Sequence, residues 1–244
     1  MLRPCTFLLC LLAPNLGAVP EDVPYLRAKI DGSVKMAEGQ HRTFSTRFAG
    51  AESPLSGNGA WMGGKTTGLD WTDVATLSGF AYGLESGTDG FDDSTALVEG
   101  VWGPNQETEA TVHAVNANDT ISEEVELRLR STLAPHRCTG YEVNFRCLKT
   151  KDAYTEIVRW DGPLGKFTYL SHKDGAEYGV KEGDVVKATM IGNMIRVYLN
   201  GVLVNEATDS TFATGNPGIG FFLRNATGLG RDFGFVRFSA TDAP

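Results

Sequence analysis

The sequence predicts an all-β domain, a two-sheet antiparallel β-sandwich of the jelly-roll kind. Three observations carry that expectation. Apolar and polar residues alternate with period two through much of the second half, the pattern of strands with one face in a core. Two-residue turn dipeptides separate several of these runs. No window longer than about ten residues keeps apolar side chains at spacings of three and four, so helices are not expected.

In chain order, the first half reads as short strands with glycine, serine, threonine and aspartate in the gaps: Phe44 to Phe48, Ala81 to Leu84, Ala96 to Trp102 and Glu107 to Val115. Val125, Leu127 and Leu129 then alternate with Glu124, Glu126, Arg128 and Arg130. Tyr141, Val143, Phe145 and Cys147 alternate with Glu142, Asn144 and Arg146. Tyr154 to Trp160 and Phe167 to Leu170 are two further strands. Asp184 to Ile191, Met194 to Leu199 and Val202 to Ala207 form a meander, joined by Gly192-Asn193 and Asn200-Gly201. Both dipeptides suit turns whose central residues need positive φ. Gly218 to Arg224 and Asp232 to Ala240 close the chain with two more strands. About a dozen short strands without helices make one sandwich domain over 42–244.

Composition narrows the function. Glycine is 29 of 244 residues, well above the usual share of roughly 7%. The net charge of −8 argues against a nucleic-acid partner, which needs clustered Lys and Arg to meet phosphate. Arg3, the apolar run Cys5 to Leu12 and the small residues ending at Ala18 read as a secretory signal peptide over 1–18. The competing reading is a buried element of an uncleaved chain. The run falls short of the ~20 residues a membrane-spanning helix needs, so no membrane span is expected. Residues 19–41 read as a polar lead-in. The expected location is secreted: extracellular or periplasmic.

Cleavage would leave Cys138 and Cys147. In an exported protein such a pair invites a disulfide. One extended strand between them would hold them beyond the roughly 7 Å that a bridge spans, so it forms only if the chain turns. Asn118-Asp119-Thr120 and Asn225-Ala226-Thr227 are glycosylation sequons, meaningful only for a eukaryotic source.

Several segments, in order, carry a resemblance. They are Arg47 to Leu55 followed by Trp61, Asn105 to Val112, Gly140 to Val143 and Ile157 to Trp160. Gly183 to Ala188, Ile195 to Gly201 and Asn216 to Phe221 follow. Over roughly 42–240 the chain resembles the concanavalin A-like lectin/glucanase superfamily in its laminin G-like form. The resemblance implies two curved antiparallel sheets face to face, and a concave face that often serves as a glycan groove. Its members include lectins, glycan hydrolases, polyuronate lyases and structural appendages, so fold does not settle function.

The superfamily's hydrolases commonly carry Glu-x-Asp-x-x-Glu on one strand, which sets two carboxylates ~5 Å apart across the scissile bond. Here Glu124 and Glu126 share a face, the middle Asp is absent and Arg128 follows. The lyases' Arg-x-Glu-Leu-Arg is met only by Glu126-Leu127-Arg128, and Gln-x-His is absent. His41, His113, His136 and His172 are scattered. Gly-x-Ser-x-Gly, P-loop and dinucleotide fingerprints are missing. The balance leans against an enzyme.

The candidate ligand residues are the polar set of the central strands: Arg128, Arg130, Glu142, Asn144, Arg146, Glu156 and Arg159, with Trp160 as a stacking plate. One reading makes them cross-strand ion pairs on a solvated face, each worth a few tenths of a kcal/mol. The other makes them a glycan groove, with planar polar groups for sugar hydroxyls and arginines suited to uronates or sulfated sugars. Tyr154 is the other candidate plate, and the competing reading of Trp160 is core packing. The superfamily's usual ion is calcium. Asp89, Asp92 and Asp93, clustered in a glycine-rich loop, are the candidate Ca2+ ligands, and Asp209 is a second possibility. The expected function is non-catalytic carbohydrate recognition. The alternatives are a lyase or hydrolase on acidic polysaccharide, and a self-assembling surface or appendage protein. The sequence leaves the oligomeric state open.

Overall fold

The computed structural model describes residues 41–244, apart from Asp89 and Leu229. The expected leader, and the lead-in apart from His41, lie outside the described residues. Fifteen strands among the described residues form two antiparallel sheets. Among the described residues the helical content is two single 3-10 turns, Gly57–Gly59 and Lys65–Thr67.

The first sheet contains β1 (Thr43–Thr46), β3 (Val74–Leu77), β4 (Phe80–Gly83), β6 (Gln106–Ala114), β11 (Val185–Ile191), β12 (Met194–Leu199), β13 (Val202–Thr208) and β15 (Phe233–Thr241). Its order is β13-β12-β11-β6-β15-β4-β3, with β1 also paired to β15. The second sheet contains β2 (Trp61–Gly63), β5 (Ser94–Val98), β7 (Ser122–Ala134), β8 (Arg137–Arg146), β9 (Tyr154–Gly162), β10 (Phe167–Asp174) and β14 (Asn216–Arg224). Its order is β10-β9-β8-β7-β14-β5-β2.

The expected strands are present, with ends shifted by a few residues. The meander turns as its dipeptides require. Asn200 and Gly201 both have positive φ, 51° and 81°, the condition of a type I′ hairpin turn. At Gly192-Asn193 only Gly192 is positive, at 59°, which fits type II′. β2 and β3 were not anticipated. Each is short, and all but Met62 and Leu77 are buried, so neither displays the alternation that marks a half-exposed strand.

The core lies between the sheets and is filled by the predicted apolar faces. Val125, Leu127 and Leu129 of β7 join Tyr141, Val143 and Phe145 of β8 and Ile157 of β9. Val112, Ala188, Val197 and Phe235 meet them from the first sheet. By the same period of two, Glu124, Glu126, Arg128, Glu142, Asn144 and Glu156 point to the other side of the second sheet.

That side is not solvated. A second small core of Leu69, Trp71, Cys138, Val158 and Trp160 packs there, and Arg128 is wholly buried at 0% exposure. The expectation of a solvated ion-pair lattice on these strands is therefore corrected: loop residues before β3 and the segment before β5 cover them. An exposed lattice of that kind exists on the first sheet, where Lys187 bridges Glu107 and Glu109 at 3.1 Å each.

Cys138 and Cys147 are both free and buried. They flank β8 at opposite ends and enter different cores, Cys138 the small one and Cys147 the main one. Burial pushes the Cys138 thiol up to about 12 and raises Cys147 as well. Peptides bearing either residue are expected to resist thiol alkylation in the native protein and to react fully in denaturant. Peptide mapping checks this, and a Cys138–Cys147 cross-linked peptide would contradict it.

Candidate functional site

The covered face of the second sheet holds a cavity of about 200 Å³. The ladder register explains its polar floor. Glu126 pairs with Asn144, which pairs with Glu156, which pairs with His172. One step along, Arg128 pairs with Glu142. Equivalent positions on four adjacent strands thus bring their side chains into one patch. On the other flank Gly220 pairs with Glu126. A Cβ there would stand 2.1 Å from the Glu126 carboxylate, so glycine gives that side chain and Arg128 the room to lean over β14.

Arg128 is the hub. It contacts Glu126, Glu142 at 2.7 Å and Asp93 at 3.2 Å. Its guanidinium lies 5.1 Å from the Trp71 ring centroid, a cation–π contact. Burial works against the guanidinium's charge, but Glu142, Glu126 and Asp93 together raise its pKa. Trp160 Nε1 donates to Glu142 at 2.6 Å, and Asn144 Nδ2 donates to Glu142 at 3.1 Å and Glu156 at 3.0 Å. His172 Nδ1 meets Glu156 at 2.6 Å, and its Nε2 meets Asp174 at 2.7 Å. Tyr154 donates its hydroxyl to Glu124 at 2.5 Å.

Acid outweighs base here. Asp93, Glu124, Glu126, Glu142 and Glu156 line the cavity, and one buried arginine serves them. Burial first, and then the neighbouring carboxylates, raise the pKa values of Glu124 and Glu126 well above the usual range and push Asp93 up to about 7. Burial raises Glu156 too. A raised pKa favours the protonated carboxyl, which can donate as well as accept hydrogen bonds. Phe167, Tyr169, Phe222 and Phe91 supply aromatic surface at the walls.

The sequence-predicted residues divide. Glu142, Asn144, Glu156 and Trp160 line the cavity, with Arg128 beneath it. Trp160 lines the cavity while packing on Trp71 at 4.2 Å and Phe167 at 5.0 Å. Arg130, Arg146 and Arg159 are placed elsewhere. A register shift between Leu129 and Thr132 breaks the alternation. Arg130, with φ of 46°, instead donates to the carbonyls of Pro104, Phe212 and Gly192. Arg146 donates to the carbonyls of Asp119, Ile121 and Asp152 at the sheet's end. Arg159 stands three residues from Glu156, an odd spacing that puts it on the opposite face of β9. There it pairs with Asp161 and Asp209.

Of the calcium candidates, Asp89 lies outside the described residues, Asp92 is buried, and Asp93 is turned to Arg128. Asp93, Glu126 and Glu142 do approach one another within 4.8 Å. The guanidinium of Arg128 touches all three, and a divalent cation among them would stand against its charge. Asp209 is engaged by Tyr141, Thr211 and Arg159. Burial opposes its charge, but those bonds hold its carboxyl down at about 2.

No family model matches the chain, and no curated protein matches it by sequence. Solved structures do. The carbohydrate recognition domain of Emp46p, in its potassium-bound form, shares 9% identity at a TM-score of 0.52, covering 82% of this chain and 96% of that one. The GlcNAcα1-4Gal-releasing endo-β-galactosidase from Clostridium perfringens shares 10% identity at 0.50, covering 86% and 64%. The fold is the concanavalin A-like jelly roll. Carbohydrate-binding module CBM66 from Bacillus subtilis also matches, at 17% identity and a TM-score of 0.49, over 68% of this chain and 92% of that one. In this concanavalin A-like chain the cavity belongs to the face of the second sheet turned away from the main core.

Sequence reasoning passed over Asp93 as an arginine partner, and over Phe91, Trp71, Tyr169 and Phe222. Asp93 and Phe91 come from one loop, whose acidic residues read as a cation site. The aromatic residues carry no spacing signal, because loops and separate strands deliver them to the cavity.

Proposed function

We propose that this protein is an exported, non-catalytic carbohydrate-binding domain of the laminin G-like kind, and that the covered face of the second sheet holds the sugar. The observation that carries the reading is one cavity whose floor is a carboxyl and amide network and whose walls are aromatic. Sugars offer hydroxyls that need paired donors and acceptors, and ring faces that lie against aromatic planes. The network also calls for a reason to persist. A buried ion cluster is frequently replaceable by apolar residues at equal or greater stability, so groups retained in a cavity favour a ligand. The carbohydrate-binding modules and recognition domains among the similar structures support the same reading.

The test is a glycan array at two salt concentrations, with wild type and Asn144→Ala. Binding at micromolar to millimolar sugar that disappears in the variant is expected. An array without signal would sink the reading. Tyr169, 56% exposed at the cavity rim, gives a sharper measurement. Tyr169→Ala is expected to weaken the sugar found by the array about three- to tenfold, with no change in thermal midpoint. Unchanged affinity would remove Tyr169 from the binding surface.

One observation favours a second, hydrolytic or lyase reading: Glu124 lines the cavity and accepts from Tyr154, and burial raises its pKa well above the usual carboxyl range, the direction a general acid needs. The motif's last acid, five residues after Glu124, would fall at Leu129, which is buried in the main core, and Arg128 instead engages the carboxylates of Asp93, Glu126 and Glu142. Reducing-end release and absorbance of unsaturated uronates over neutral and acidic polysaccharides discriminate the two, and no turnover is expected.

A further inference from the structure

Arg224 stands at the mouth of the cavity, at the end of β14, and differs from the other arginines near this face. Arg128, Arg146 and Arg159 each place donors on carboxylates or carbonyls. The side chain of Arg224 makes no hydrogen bond or ion pair with any described residue, although its backbone pairs with Ser122 in the ladder. Two aromatic planes hold it instead, Phe91 at 5.0 Å and Phe222 at 5.3 Å from the guanidinium carbon. Stacking fixes the plane of a guanidinium without using its N–H groups. It is therefore presented as a forked donor, the geometry that grips a carboxylate or sulfate through two parallel bonds.

The surroundings give this donor a direction. Arg224 is the wall shared by the acidic cavity and a second, open groove that runs past Gly90, Thr88, Asn225 and Thr227. Gly90 lies beside this donor: a Cβ there would come into ordinary van der Waals contact with Nη2 of Arg224, at 3.5 Å. Inside the cavity an anion would meet five carboxyl groups. Outside, at Arg224, it would meet unused donors.

We infer that the ligand is an oligosaccharide that lays an uncharged unit in the cavity and an anionic neighbour, bearing carboxylate or sulfate, against Arg224 in the second groove. This rests on the sugar-binding reading above and deepens it. It replaces the sequence-based picture of an arginine-lined floor for anions with an acidic floor and a single anion contact at the rim.

Arrayed glycans of four kinds test it with wild type, Arg224→Gln and Arg224→Lys: neutral glucans and galactans, alternating neutral–uronate chains such as hyaluronan fragments, alternating neutral–sulfated galactans, and uniformly charged polygalacturonate. Wild type is expected to bind one of the alternating classes about tenfold more tightly than neutral chains, the scale of a charge-assisted contact. Arg224→Gln should remove that ratio, Arg224→Lys should restore part of it, and 0.5 M salt should shrink it. Which alternating class binds separates carboxylate from sulfate. Equal binding of neutral chains, stronger binding of polygalacturonate, or a ratio untouched in Arg224→Gln would overturn the inference and leave the sugar-binding reading standing. No binding to any class would overturn both.

Discussion

Replacing Arg128 with methionine is expected to destabilise the domain by about 3–5 kcal/mol at pH 8, the cost of removing one partner from a buried ionic cluster. The guanidinium is fully buried and touches three carboxylates that themselves are almost wholly enclosed. Methionine fills much of the same volume against Trp71, so a packing defect is not the main term. What remains is like charges within 4.8 Å of one another, in surroundings poorly screened by water. The loss should shrink at pH 5, where the carboxyls take up protons and stop repelling. Adding Asp93→Asn, Glu126→Gln and Glu142→Gln to the methionine variant should recover most of the stability, since it removes the stranded charges. Urea unfolding at the two pH values measures all of this. A loss below about 1 kcal/mol at pH 8 would place the cluster within the range of surface ion pairs and remove it as a structural hub.

The wild-type domain is expected to lose stability as pH rises from about 4 to about 8, against the usual trend for carboxylates. Burial holds Asp93 up at about 7 from an ordinary value of 3.8. It holds Glu85 up at about 8 and Glu123 at about 7, from 4.5. Glu85 accepts a bond from Ser94, at the start of the strand that follows the Asp93 loop. Between the unfolded and folded pKa values, the folded state binds more protons than the unfolded one. Stability therefore falls across that window and levels off above the folded pKa. Opposing terms come from Asp209, held down at about 2 from 3.8, and from Glu52, also held low, both of which favour the folded state as pH rises through the acid range. The net expectation is a maximum near pH 4–5 and a midpoint at least ~5 °C lower at pH 8.5. Scanning calorimetry across pH 4 to 9 measures it. A midpoint that is flat or rising over pH 5 to 8 would mean that these carboxyls ionise without cost.

The sandwich was readable because its strands are amphipathic on a period of two and its meander turns at glycine and asparagine. Val125-x-Leu127-x-Leu129 and Tyr141-x-Val143-x-Phe145 identify the inner face of the second sheet without any tertiary information. The same alternation brings Glu126, Arg128, Glu142, Asn144 and Glu156 together on the outer face. What alternation does not reveal is whether that outer face meets water. Loop residues such as Trp71, Phe91 and Asp93 decide this, and their placement depends on pairings distant in sequence: Thr72 bridges Ser94, and Glu52 bridges Thr76. The same limit explains Arg130, whose residue type continues the alternation while the backbone does not. It explains Arg224 as well, an ordinary strand-end arginine until Phe91 arrives from another loop to stack on it.

A sugar is expected to bind on the covered outer face of the second sheet. The most direct measurement is a heteronuclear NMR titration with the tightest oligosaccharide from the array. It follows the Trp160 indole N–H, the Asn144 side-chain amide and the Tyr169 backbone amide, with the Lys187 and Arg196 amides of the first sheet as controls. Saturable shifts confined to the first group are predicted. Shifts that cluster instead around Lys187 and Arg196, with Trp160 and Asn144 unmoved, would contradict it.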